Sequence, residues 1–164
     1  MDRAERAQRQ WKTEIPEMDT GPMVILGRLL ELTNRASDGL IEPVFRAYGL
    51  KRGEFDVLAT LRRSGAPFAL TPTELYTSTM ISSGGMTARL DRLEAAGLVR
   101  RMPNPQDRRG QLVGLTARGH ALIDTMLPAY VEAQRRAVAP LDETEQAQLS
   151  GLLARLIAGL PESA

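Results

Sequence analysis

Residues 81–119 read ISSGGMTARLDRLEAAGLVRRMPNPQDRRGQLVGLTARG. Four small residues, Ser82, Ser83, Gly84 and Gly85, open an amphipathic helix whose apolar spine is Met86, Leu90 and Leu93, spaced for a single helical face. The pattern predicts this helix over 83–96, with Gly97 as its stop. Two short apolar strands follow at 99–102 and 111–115, joined by a turn over 103–110 that contains Asp107-Arg108-Arg109-Gly110. A helix that is slender at its start, beside an arginine-tipped hairpin, is the outline of a winged helix. Such a helix fits a DNA major groove.

Working outward, Thr71-Pro72-Thr73-Glu74 combines a capping box with proline at the first helical position, so a short helix starts there and runs to about Ser78. A helix over about 53–64 points Phe55, Leu58 and Leu61 inward. Before it lies a long helical run carrying Leu26, Leu29, Leu30, Leu40, Ile41, Val44, Phe45 and Tyr48; Pro43 kinks this run and Gly49 ends it. Residues 1–14 form a charged leader with helical potential and hold the only tryptophan, Trp11. Past the hairpin, Thr116 caps a helix to about residue 138, bent at Pro128. Asp142-Glu143-Thr144-Glu145 then caps a last helix with Leu149, Leu152, Leu153, Leu156, Ile157 and Leu160 on one stripe.

The expected fold is mainly α with a small β-wing: a winged helix-turn-helix core between N- and C-terminal dimerisation helices. It divides into 1–48 (leader and first long helix), 49–116 (DNA-binding core) and 117–164 (C-terminal helices). The terminal stripe has no neighbour in a compact winged helix large enough to cover it, so a homodimer is expected. Two-fold symmetry suits a pseudo-palindromic operator with half-sites about one helical turn apart. The alternative is a C-terminal helix that folds back on its own chain.

Composition narrows the function. The chain has 164 residues and a formal net charge of +1. Residues 82–118 nevertheless hold seven arginines against Asp91, Glu94 and Asp107, a surplus of four positive charges. Basic charge gathered on one element is the footprint of phosphate binding, and double-stranded DNA is the expected partner. There is no cysteine, which rules out disulfides and thiol redox sensing, and the single histidine, His120, argues against a metal site. No cofactor is expected. The polar start MDRAERAQRQWK lacks a signal-peptide core and no apolar run is long enough to span a membrane, so a cytoplasmic protein is expected. Ser82-Ser83-Gly84-Gly85 is not a nucleophile elbow, and no Walker loop, dinucleotide fingerprint or triad context is present, so no catalytic residue is assigned.

The segment D-R-L-E-x-x-G-L-V-x-R-x-x-x-P-x-D-R-R with the following L-T-x-x-G resembles the recognition helix and wing of MarR-type transcriptional regulators. The resemblance covers roughly residues 22–160 and implies a dimeric DNA-binding protein. On the expected site, Ser82, Ser83 and Thr87 offer hydroxyls and Gly84 lets the backbone approach the duplex. Arg92 is a phosphate clamp, Arg89 lies on the same helix, and Arg108 or Arg109 enters the minor groove from the wing. Asp107 either orients a wing arginine or forms the turn. Of Arg100 and Arg101, which alternate on a strand, one faces solvent.

Trp11, Asp56, Arg63 and Arg89 resemble the ligand constellation of the urate-responsive branch of the same family, whose members carry an extra N-terminal helix with a tryptophan and a stretch similar to E-F-D-V-L-A-T-L-R-R at 54–63. Urate is a flat anion near neutral pH. An indole stacks on such a ring and guanidinium forks pair with its oxygens. A carboxylate at Asp56 repels it, which supplies the differential affinity that a switch requires. Without the resemblance, the same four residues read as solvated charges, a packing tryptophan and a phosphate contact. A phenolic or other aromatic acid is the alternative effector, and a ligand-independent DNA-binding protein is the other reading.

Overall fold

The computed structural model describes residues 1–79 and 85–161, with the side chains of Arg108 and Arg109 outside that description. Among these residues, helices α1 (Arg3–Glu14), α2 (Gly21–Ala36), α3 (Glu42–Ala47), α4 (Arg52–Arg63) and α5 (Pro72–Ser78) come first. They are followed by α6 (Met86–Ala95), α7 (Ala117–Val138) and α8 (Glu143–Ala158). Strands β1 (Ala69–Leu70), β2 (Val99–Asn104) and β3 (Asp107–Leu115) form one antiparallel sheet in the order β1-β3-β2. This is the winged helix-turn-helix architecture with added terminal helices.

Most element boundaries follow from local chemistry. Thr71 Oγ1 accepts the Glu74 N–H at 3.2 Å while the Glu74 carboxylate accepts the Thr71 N–H at 2.8 Å, a reciprocal cap on α5. Asp142 and Glu145 cap α8 in the same way, and Thr116 Oγ1 caps α7 by accepting the Gly119 N–H at 3.0 Å. Between α2 and α3 the chain widens into a π-helical turn, Ser37–Ile41. Pro43 lacks an N–H and its ring crowds the preceding turn, so the wider turn lets the helix bend and continue. Gly49 ends α3 at φ +70° and the Leu50 N–H reaches back to the Phe45 carbonyl at 2.9 Å.

Three boundaries differ from the expectation. First, α6 begins at Met86, not at 83, because Gly85 is left-handed at φ +85° and cannot sit inside a right-handed helix; Ser82, Ser83 and Gly84 lie outside the described residues. Second, the wing turn is Pro105–Gln106 alone. Pairing runs on to Asn104 opposite Asp107, across a register slip after Pro103, and Asn104 Oδ1 closes the turn by accepting the Gln106 N–H at 2.9 Å. Arg108 and Arg109 therefore belong to β3, beside the tip. Third, β1 was not foreseen: Ala69 and Leu70 pair with Gly114 and Val113, and two residues are too few to show a period.

The core joins α3, α4, α5, α6, α7 and the sheet through Phe45, Leu58, Leu61, Leu75, Leu93, Val99, Val113, Ile123 and Met126, all buried. Met86 packs on that core, and Met80 lies outside the described residues. His120 meets Phe68 edge-on at 4.8 Å. By contrast α1, α2 and α8 contain no buried residue. Ile25, Leu26, Leu30, Leu152, Leu156 and Ile157 are at least half exposed. Terminal helices with open apolar faces fit dimerisation. No helix among the described residues is long and apolar enough to cross a membrane.

Candidate DNA-binding surface and ligand site

The outward face of α6 carries Thr87, Ala88 and Asp91, all exposed, while Leu90 and Leu93 turn into the core. Thr87 therefore lies on the open side of the helix. The arginines near this helix are distributed in a way the sequence did not show. The Arg92 guanidinium holds the buried Glu54 carboxylate at 2.7 Å, and Glu54 in turn accepts the Lys51 N–H at 2.9 Å. Arg92 therefore pins α6 to the start of α4, a structural task that its reading as a phosphate clamp did not include. Arg101 pairs with Asp91 at 2.6 Å and also with Glu94, which fastens the wing to α6. These carboxylates push the Arg101 guanidinium further toward its charged form. Arg100 faces solvent. Arg92 and Arg101 are thus engaged within the protein, while Arg100 is exposed on β2.

Behind α6, three of the four expected ligand residues converge. Asp56 is half-buried on α4. Burial pushes its carboxyl above the usual carboxylate range, and the neighbouring guanidinium groups of Arg52, Arg89 and Arg63 pull it down in that order. Arg89 reaches this place from α6 by lying flat on α4: a Cβ at Gly53 would fall 2.4 Å from its Nε. The absence of a side chain at Gly53 makes that approach possible. Arg63 donates to the Ser78 carbonyl at the end of α5 and to Thr60 Oγ1 at 3.4 Å, so it also bridges two helices. Arg52 ion-pairs with Glu42 at 3.3 Å and donates to Ser37 Oγ in the π-helical turn.

Two members of this cluster were missed. Arg52 sits four residues before Asp56 and reads as an ordinary first-turn residue; the i, i+4 spacing was the available signal. Tyr130 comes from α7, 74 positions further on, and no local pattern links it to α4. Its ring lies 4.4 Å from Phe55 and 5.8 Å from Phe45, with Phe45 and Phe55 stacked at 4.8 Å. Burial, then the Asp56 charge, raises the Tyr130 hydroxyl pKa. An aromatic cluster thus borders a ring of guanidinium groups around one carboxylate.

Trp11 does not join them. Its groove lies between α1 and α2, about 620 Å³ in volume, and is lined by Ala4, Met23, Gly27, Leu30 and Asn34 among others. The leader docks along α2 and not on α4, so within one chain the expected quartet is a trio.

The family model for MarR regulators matches residues 48–110. The chain is 42% identical over 147 residues to the HTH-type transcriptional regulator PecS of Dickeya dadantii, covering 90% of this chain and 88% of that protein. Among solved structures, a cysteine-to-serine mutant of MarR from Escherichia coli complexed with operator DNA superposes with a TM-score of 0.71 at 30% identity, covering 92% of this chain and 98% of that one. BpsR of Bordetella bronchiseptica, whose structure was described for regulation of DNA binding by 6-hydroxynicotinic acid, gives 0.71 at 26% identity over 82% and 94%. The chain belongs to the MarR family: it is a winged-helix DNA-binding transcriptional regulator, not an enzyme.

Proposed function

We propose that this regulator is a cytoplasmic repressor that holds a pseudo-palindromic operator as a homodimer and is released by urate or a closely related purine anion. In this reading residues 49–116 engage DNA through Ser82, Ser83, Gly84, Thr87, Arg89, Arg92, Arg108 and Arg109. Residues 1–48 and 117–164 build the dimer and frame the ligand site. Trp11, Asp56, Arg63 and Arg89 receive the ligand, joined by Arg52.

The observation that carries the proposal is the position of Arg89. It belongs to the helix that faces DNA, yet its side chain lies on Gly53 beside Asp56. An anion entering there competes with Asp56 for the guanidinium groups. Arg52, Arg63 and Arg89 gain a partner that accepts in two places at once, and Asp56 is displaced or takes up a proton. Because Arg89 is part of α6, a new position for it changes the angle at which α6 meets the groove. The ligand then favours the released state by its greater affinity for it.

A second reading has its own support. Guanidinium forks beside the partly buried Tyr130 suit any flat aromatic acid, and BpsR responds to 6-hydroxynicotinic acid. One titration separates the two. Operator-bound protein is challenged with urate, xanthine, hypoxanthine and 6-hydroxynicotinate, and both DNA release and Trp11 emission are followed. Release by urate at the lowest concentration, with quenching, is expected. Release by the pyridine acid alone transfers the site to the second reading, and retention of DNA with all four ligands overturns both.

A further inference from the structure

We propose that the groove between α4, α6 and α7 binds an organic dianion, a molecule with two acid groups on an apolar body. The groove is about 1060 Å³ in volume, and Asp56, Arg63 and Arg89 are not among the residues that line it. Its floor is apolar: Leu50, Leu93 and Leu98 are buried, and Tyr48 and Leu122 are partly so. Four cations border that floor, each from a different part of the chain. Arg46 comes from α3, Lys51 from the residue before α4, Arg92 from α6 and Arg118 from α7. One carboxylate faces them, that of Glu54, and both of its oxygens are taken. Oε1 accepts from the Arg92 Nε at 2.7 Å, and Oε2 accepts from the Lys51 backbone N–H at 2.9 Å.

The cations are short of partners. Among the described residues, Arg46, Lys51 and Arg118 form no ion pair with a carboxylate. Arg46 makes only a 3.4 Å bond to the Glu42 carbonyl. Arg118 lies over the α6–β2 junction, where a Cβ on Gly97 would come within 3.9 Å of its Nη1. Arg92 gives Nε to Glu54, and its Nη groups have no hydrogen-bond acceptor among the described residues. Cations gathered around an apolar floor repel one another. An entering dianion replaces that repulsion with charge-assisted hydrogen bonds, while its apolar body covers the leucines. Two acid groups match cations spread over several elements. A nucleic-acid backbone or an inorganic anion supplies the charge but has nothing to lay on the floor, which is why the occupant is organic. Held by Arg92 together with Lys51 or Arg118, it also ties α6 to α4 or α7 and so stabilises the folded chain.

Calorimetry on the full chain tests this with sebacate, in which a long methylene chain joins two carboxylates. Succinate has the same charge on a short chain, and octanoate has a chain with one carboxylate. Sebacate is expected to bind at least about ten-fold tighter than either. Lys51→Gln and Arg118→Gln should each weaken sebacate by roughly five-fold or more. Arg100→Gln, which removes an exposed cation from β2 outside the groove, should leave it unchanged. Sebacate should also raise the melting temperature of the parent and not that of the Lys51→Gln/Arg118→Gln double variant. Lys51 and Arg118 are exposed, so melts without ligand should match the parent; the comparison of the three acids on the parent stands whether or not they do. Succinate or octanoate binding as tightly as sebacate overturns the proposal, because charge or chain alone then suffices. An equal loss in Arg100→Gln overturns it as diffuse attraction. Failure of the parent to bind sebacate overturns it as well, and if Lys51→Gln and Arg118→Gln then weaken an unrelated DNA duplex, these cations serve phosphates instead.

Discussion

Gly53 leaves the room that Arg89 occupies on α4, close enough to Asp56 for its charge to be felt there. A Cβ at Gly53 would fall 2.4 Å from the Arg89 Nε, so Gly53→Ala must expel that side chain from α4. The substitution suits a helix, where alanine is favoured over glycine by roughly 0.5–1 kcal/mol. Gly53→Ala is therefore expected to hold or raise stability in a urea melt while blunting urate-driven release of the operator in a gel-shift titration. Unchanged release would show that Arg89 carries no part of the signal. Asp56 makes a prediction about pH. Its carboxyl sits above the usual range because burial disfavours the charge. Its contribution to stability is present below the ordinary carboxylate range and is lost as pH rises through the folded value. Asp56→Asn should match the parent in acid and exceed it at neutral pH, and a variant that is less stable at pH 7 contradicts this.

At the scale of elements, α6 is held from two sides. Glu54 fastens it to α4 through Arg92, and Asp91 and Glu94 fasten it to β2 through Arg101. If α6 shifts relative to α4, the Arg92–Glu54 pair must give way, and the Arg101 pairs are expected to carry the wing with the helix. With Arg92 and Arg101 engaged in ion pairs, sequence-independent affinity is expected to come largely from the wing. Arg109→Ala should weaken binding to operator and unrelated duplex alike, and should lower the slope of log affinity against log salt by about one. Equal slopes for variant and parent would remove Arg109 from the phosphate contacts.

Across the whole molecule, the terminal helices hold the exposed apolar surface and the winged core holds the buried one. Leu152 is 54% exposed on α8 and faces a groove shared with Ile25 and Leu29. If a second copy fills that groove, Leu152→Glu places a charge in an apolar interface. It should yield a folded monomer whose operator affinity falls at least 100-fold, because one half-site contributes far less than two. Sedimentation together with circular dichroism checks both parts. A dimer of parental stability would locate the interface elsewhere.

The sequence by itself determined the features that rest on near neighbours. The caps at Thr71, Thr116 and Asp142, the stop at Gly49, the spine of α6 and the two wing strands all have their partners within a few residues, and each was legible. So was the family, because its motif is contiguous. Tertiary structure decided what depends on distant approach. Gly85 became a left-handed entry to α6, Arg92 and Arg101 became fasteners, and Arg52 and Tyr130 came to border Asp56. The placement of Trp11 shows the reason most clearly. Its position in the chain matches a pattern, but the α1–α2 hairpin carries it away from its own Asp56, and the distance between two helix ends is written in packing and not in spacing.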